Sequence, residues 1–132
     1  VWLHYKPHYD VTTDKGAIRA SFCTDPAIKN TPFNFISEAF ASALAIVALG
    51  TFSTVQTGLG PFTVGILVWA IGLGLGGTTG YAINPARDLG PRIMHAILPI
   101  PNKGDSGWEY AWIPVLGPAA GAVLGAYILT LN

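Results

Sequence analysis

Three stretches of about 20 residues carry almost no charge, and that length of apolar chain leaves few folds open. Residues 33–52 are apolar except for Asn34, Ser37, Glu38, Ser42 and Thr51. Residues 62–79 and 110–131 contain no charged residue. A helix of that length crosses a bilayer core of roughly 30 Å. The spacing therefore predicts three membrane spans, over about 33–52, 62–79 and 110–131.

Charge collects between and before these runs. Residues 4–32 hold His4, Lys6, His8, Asp10, Asp14, Lys15, Arg19, Asp25 and Lys29, interrupted by Pro7, Pro26 and Pro32. This stretch reads as a loop, with residues 1–3 as the end of an earlier helix. The segment STVQTGLGP (53–61) reads as a turn with Gly-Pro punctuation, and NKGDSG (102–107) as a second loop. Charged residues make up 11% of the chain and hydrophobic residues 51%, and mean hydropathy is +0.46. A soluble domain carries about twice that charge. Seven basic residues balance seven acidic ones, so nothing points to a nucleic-acid partner. The one cysteine, Cys23, allows no disulfide within the chain. The chain starts Val1-Trp2-Leu3 without an initiator methionine, and we expect a piece of a longer protein.

The segment GYAINPARDLGPR (80–92) is the unusual one. Residues 84–97 read as a short helix, stopped by Pro99 and Pro101. At 1.5 Å per residue it reaches about 21 Å, too short to cross a bilayer. Its far end (Ile93, Met94, Ala96, Ile97, Leu98) is too apolar for a solvated loop. A re-entrant half-helix and an interfacial helix both fit those two facts.

Asn84 is a natural N-cap. Its oxygen can accept from a first-turn N–H while its NH₂ keeps two donors for something beyond. Pro85 at the first helical position loses no needed donor. Arg87 is costly there. An arginine at membrane depth costs about 2.5–3.5 kcal/mol, and the positive helix end repels it. Asp88 does not neutralise it, because adjacent helix residues do not face each other; Asp88 is better placed for Arg92, four residues on. Arg87 is therefore a functional candidate, a donor to neutral solutes whose charge turns cations away.

The segment 80–92 resembles the second Asn-Pro-Ala motif of the aquaporin superfamily. Its NPARD form is similar to the aquaglyceroporin branch, the glycerol facilitators. The resemblance covers essentially the whole chain. It implies an all-α membrane protein, the second inverted repeat of an aquaporin-like right-handed helical bundle, with three spans, one re-entrant half-helix and an outer loop at 4–32. The first repeat would lie outside this chain. On the same resemblance Asn84 is the pore asparagine and Arg87 the filter arginine. Tyr81 stands at the filter's aromatic position, where phenylalanine is commoner. Gly72 stands where water-selective channels carry a histidine, which favours glycerol over water alone. Asp88, Arg92, Pro114 and Val115 match the glycerol branch. Glu38, with Ser42 four residues on, resembles the buried glutamate that holds the pore loop, supported by Pro85, Ala86 and Asp88. Backbone carbonyls of Gly80, Tyr81 and Ala82 are expected to line the path, and Phe22 to face the vestibule. The implied activity is passive diffusion of glycerol, small polyols and some water through a homotetramer in the plasma membrane, with no cofactor and no catalytic or metal site. A water-selective channel and a secondary transporter are the alternatives.

Other patterns have plainer readings. Gly72, Gly74 and Gly77 spell G-x-G-x-x-G, but inside an apolar span and not between a strand and a helix. Gly72, Gly76 and Gly80, like Gly117, Gly121 and Gly125, repeat every four residues, as strips that let membrane helices approach closely. Trp108, Tyr110 and Trp112 resemble an interfacial belt. His4, His8 and His95 show no metal-ligand spacing.

Overall fold

The computed structural model describes residues 2–52 and 58–131. Among the described residues the chain is helical: α1 (Trp2–Val11), α2 (Lys15–Ala20), α3 (Thr31–Phe52), α4 (Gly60–Thr79), α5 (Pro85–Ile97) and α6 (Ile113–Thr130). Helices α3, α4 and α6 are long and apolar enough to cross a membrane. They match the three apolar runs to within about three residues at each end, within the usual scatter of helix boundaries. Helix α6 starts at Ile113 rather than 110, because residues 107–112 form turns that close through Tyr110 N–H to Gly107 and Ala111 N–H to Trp108. The start of the expected turn, residues 53–57, lies outside the described residues.

Helix α6 packs most extensively on α3, α4 packs on α3, and α5 lies against α6. The α3–α6 contact is set by the Gly117/Gly121/Gly125 strip. A Cβ on Gly117 would sit 2.8 Å from Glu38 Cβ, and one on Gly125 would sit 2.8 Å from the Ala43 carbonyl oxygen. Nothing larger than glycine fits there, so the two backbones touch, which is how membrane helices gain dispersion energy. The strip in α4 works differently. Gly72 and Gly76 face the Tyr81 ring and Gly80 faces Thr24, so these glycines receive a side chain and a loop and not another helix.

The expected loop 4–32 is corrected by two helices. Helix α1 contains Pro7 and carries a Lys6–Asp10 pair at 2.7 Å, the i,i+4 spacing of a helix face. Helix α2 is capped by Asp14, whose carboxylate accepts from Gly16 N–H at 2.9 Å and Ala17 N–H at 3.1 Å. Both are held from outside. Tyr9, Ile18 and Ile100 form a small buried cluster with Trp2, Phe22 and Leu98 against it. That burial outweighs the proline and the short length, neither of which favours helix.

Candidate functional site: a groove at the start of the half-helix

Helix α5 has 13 residues and reaches about 20 Å. It begins where α4 ends. Gly80 closes α4 with φ 79°, its N–H on the Gly76 carbonyl at 2.9 Å. A three-residue link then leads to Asn84, the cap of α5, whose side-chain oxygen accepts from Ala86 N–H at 2.9 Å. Pro85 and Ala86 form the first turn behind it.

A fully buried carboxylate shapes the link. Glu38 of α3 accepts from Thr79 Oγ1 at 2.6 Å, Ala82 N–H at 3.0 Å and Ile83 N–H at 2.7 Å. Tyr81 (φ 41°) and Ile83 (φ 43°) occupy the left-handed region, which costs on the order of 1–3 kcal/mol each for such residues. Charge-assisted bonds to Glu38 offset that cost. In a trans peptide the preceding carbonyl points opposite to the N–H. With Ala82 and Ile83 N–H turned toward Glu38, the Tyr81 and Ala82 carbonyls turn away from it.

Next to this link lies a groove of about 310 Å³, lined by Tyr81, Ala82, Ile83, Asn84 and Arg87 from the link and the start of α5, and by Ser42, Ala45, Ile46, Leu49, Val68 and Ala122 from the long helices. One wall is thus polar and the facing walls largely apolar. Arg87 is exposed on the groove. Its guanidinium lies 5.9 Å from the centre of the Tyr81 ring and makes no hydrogen bond or ion pair within the described residues. Ser42 also lines the groove, and its buried hydroxyl has no hydrogen-bond partner there.

Behind the groove, Asp88 and Arg92 are both fully buried. Arg92 donates from Nε and Nη2 to Asp88, from Nη1 to the Ser106 and Gly107 carbonyls, and from Nη2 to the Thr24 carbonyl. Asp88 also accepts from Thr24 N–H at 2.8 Å and Thr24 Oγ1 at 2.6 Å. The α5 helix is thereby tied to the loops on both sides of it.

The structure brings together Tyr81, Ala82, Asn84 and Arg87 on the groove, with Glu38 and Asp88 beneath. It does not bring three of the expected site residues there. Phe22 packs instead between Tyr9 and His95, with ring centres 5.9 and 5.5 Å away. Gly80 abuts Thr24, where a Cβ would lie 3.2 Å from the Thr24 Cβ. Gly72 lies behind the Tyr81 ring, where a Cβ would stand 3.0 Å from the ring's Cζ. In the expected interfacial belt, Trp108 and Trp112 are exposed, but Tyr110 is buried beneath Arg92. Sequence reasoning missed Thr24 and the Ser106–Gly107 carbonyls, whose role comes from distant pairing. It also missed Lys103, which donates to three carbonyls at the end of α5.

The family model described as "Major intrinsic protein" matches residues 22–129. The chain is 59% identical to the "Glycerol uptake facilitator protein" of Streptococcus pneumoniae serotype 4, covering 99% of this chain and 57% of that protein. It is 55% identical to "Glycerol uptake facilitator protein 3" of Lactiplantibacillus plantarum, over 99% of this chain and 55% of the relative. It is 48% identical to the "D/L-lactic acid transporter" of the same organism, over 98% of this chain and 56% of the relative. The chain spans about half the length of the curated relatives it matches. With three membrane-crossing helices and a family match over most of its length, the chain belongs to the major intrinsic protein family of integral membrane proteins.

Proposed function

We propose that this chain forms half of a passive channel for glycerol and other small neutral solutes, with some water, that turns away ions and protons. The observation that carries the reading is the two-sided groove. Asn84 and Arg87 offer donors, and the Tyr81 and Ala82 carbonyls offer acceptors, opposite Ala45, Ile46 and Leu49. A polyol presents the same two sides: hydroxyls that need replacement for their water shell, and a CH backbone that does not. No bond is made or broken in such a passage. The unpaired cation of Arg87 opposes entry of other cations. The second of two inverted repeats in a right-handed bundle, assembled as a homotetramer in the plasma membrane, belongs to the same proposal. Cross-linking of the detergent-solubilised whole protein tests the tetramer.

The channel itself is tested by stopped-flow light scattering of vesicles holding the whole protein. Under a glycerol gradient they are expected to shrink and then re-swell quickly. Shrinkage without re-swelling assigns a water-selective channel. A flux that saturates at modest glycerol and follows an ion gradient assigns a secondary transporter. The identity to a lactic acid transporter makes undissociated lactic acid, a small neutral hydroxy acid, the second solute to measure.

A further inference from the structure

Lys103 lies six residues beyond Ile97, the last residue of α5. Its ammonium has three donors. All three are used: on the carbonyls of His95 at 2.8 Å, Ala96 at 2.7 Å and Leu98 at 2.6 Å. The last carbonyls of a helix lack partners within it and carry its negative end. Lys103 satisfies two of them, His95 and Ala96, bonds the carbonyl of the capping residue Leu98 as well, and places a positive charge there.

The same loop grips α5 a second time. Ser106 and Gly107 present their carbonyls to Arg92 Nη1 at 2.6 and 3.0 Å, and Ser106 Oγ pairs with His95 Nδ1 at 2.9 Å. Arg92 has five N–H donors. It fills all five only because this loop supplies two acceptors. The other end of the Arg92 guanidinium holds Asp88, the chain neighbour of Arg87.

We propose that Lys103 is a positioning residue for the groove-facing start of α5. By anchoring the loop that supplies two of the Arg92 acceptors, it holds the Asp88–Arg92 pair, and with it Arg87, in register with the groove. The inference rests on the channel reading for what Arg87 does.

The test uses the whole protein in proteoliposomes. Lys103→Met keeps the stem and removes the charge and the donors, whereas Lys103→Arg keeps both. Selectivity in a pore follows its width and the donors that line it, so Lys103→Met is expected to change the ratio of glycerol to water permeability by at least about threefold. It is also expected to raise proton leak, with Lys103→Arg near the unmutated values. If Lys103→Met does not reconstitute, Lys103→Gln replaces it in the same measurements. Equal falls in both permeabilities at a constant ratio, following a fall in thermal stability, would show that Lys103 only stabilises the fold and overturn the proposal. A Met variant matching the unmutated protein in ratio and leak would overturn it too. If the unmutated protein passes no glycerol, the glycerol reading fails, and the proton leak of the variants still decides the role of Lys103.

Discussion

Arg92 Nε donates to Asp88 Oδ2 at 2.7 Å and Nη2 to Oδ1 at 2.8 Å, with both side chains fully buried one helical turn apart. The pair is a two-pronged contact whose planes match. The remaining Arg92 donors are all spent on the Thr24, Ser106 and Gly107 carbonyls, and Asp88 also accepts from the Thr24 N–H and hydroxyl. Such a pair is weak evidence for stability in itself, but removing one partner leaves a buried charge uncompensated.

Asp88→Asn is therefore expected to destabilise the protein by about 3–5 kcal/mol. An asparagine oxygen in the place of Oδ1 can keep the Thr24 bonds, but its NH₂ then opposes the Arg92 Nε donor and the buried guanidinium loses its counter-charge. Thermal unfolding of the detergent-solubilised protein measures the loss. An unchanged unfolding temperature would mean that Arg92 finds another anion or water within the bundle.

Much of this arrangement is legible in the residues alone. The i,i+4 order of Asp88 and Arg92 is local, as is the Asn84 cap, so spacing suffices for both. Apolar runs of span length fix α3, α4 and α6 for the same reason. Helices α1 and α2 are less legible because their support is remote: Ile100 and Phe22 bury Tyr9 and Ile18, and Pro7 argues locally for a break. The Asp14 cap is the one local signal that reveals α2. Thr24 and Lys103 are silent in sequence, since a threonine or lysine in a polar loop has no pattern that names a partner 64 residues away or a helix end. The Gly72/Gly76 strip shows a further limit. Spacing announces a close approach, but not whether a helix or a tyrosine ring fills the space.

Cys23 is expected to be a slow thiol. It is buried, and burial pushes its pKa from 9.0 up to about 11, with the Arg92 charge only partly offsetting that. The thiolate is the reactive form, so at pH 8 alkylation should run about a hundredfold slower than for a free cysteine. Mass spectrometry after iodoacetamide treatment follows it. The rate should keep rising up to pH 10. A plateau near pH 8.5 would contradict the buried placement.

Arg87→Val is expected to leave the fold intact. The guanidinium is exposed on the groove and pairs with no described carboxylate, so its loss orphans no buried partner. The barrier to cations should fall with it. Proton leak after a pH jump across proteoliposomes is expected to rise, with thermal stability close to that of the unmutated protein. Unchanged leak together with unchanged glycerol flux would assign Arg87 a structural role.

The selectivity prediction turns on Gly72 and the Tyr81 ring. A Cβ at position 72 would stand 3.0 Å from Tyr81 Cζ, tighter than ordinary contact, and one at position 76 would stand 2.7 Å from Cδ1. The ring thus occupies the recess that the two glycines leave. A histidine at 72 needs that recess and must push the ring off it. Tyr81 lines the groove of about 310 Å³, so the displaced ring has that groove to move into. The imidazole fills the recess, and the moved tyrosine narrows the opening. Water can pass a gap of its own diameter, but a glycerol carbon chain cannot. Gly72→His is therefore expected to cut glycerol permeability about tenfold or more while sparing much of the water permeability, a size discrimination of about 1.4 kcal/mol. Gly72→His combined with Tyr81→Ala removes the displaced ring and should recover part of the glycerol flux. Stopped-flow shrinkage reports water and re-swelling reports glycerol in the same trace. If both fluxes fall together in the single variant and the double variant recovers neither, position 72 governs helix packing and not the width of the groove.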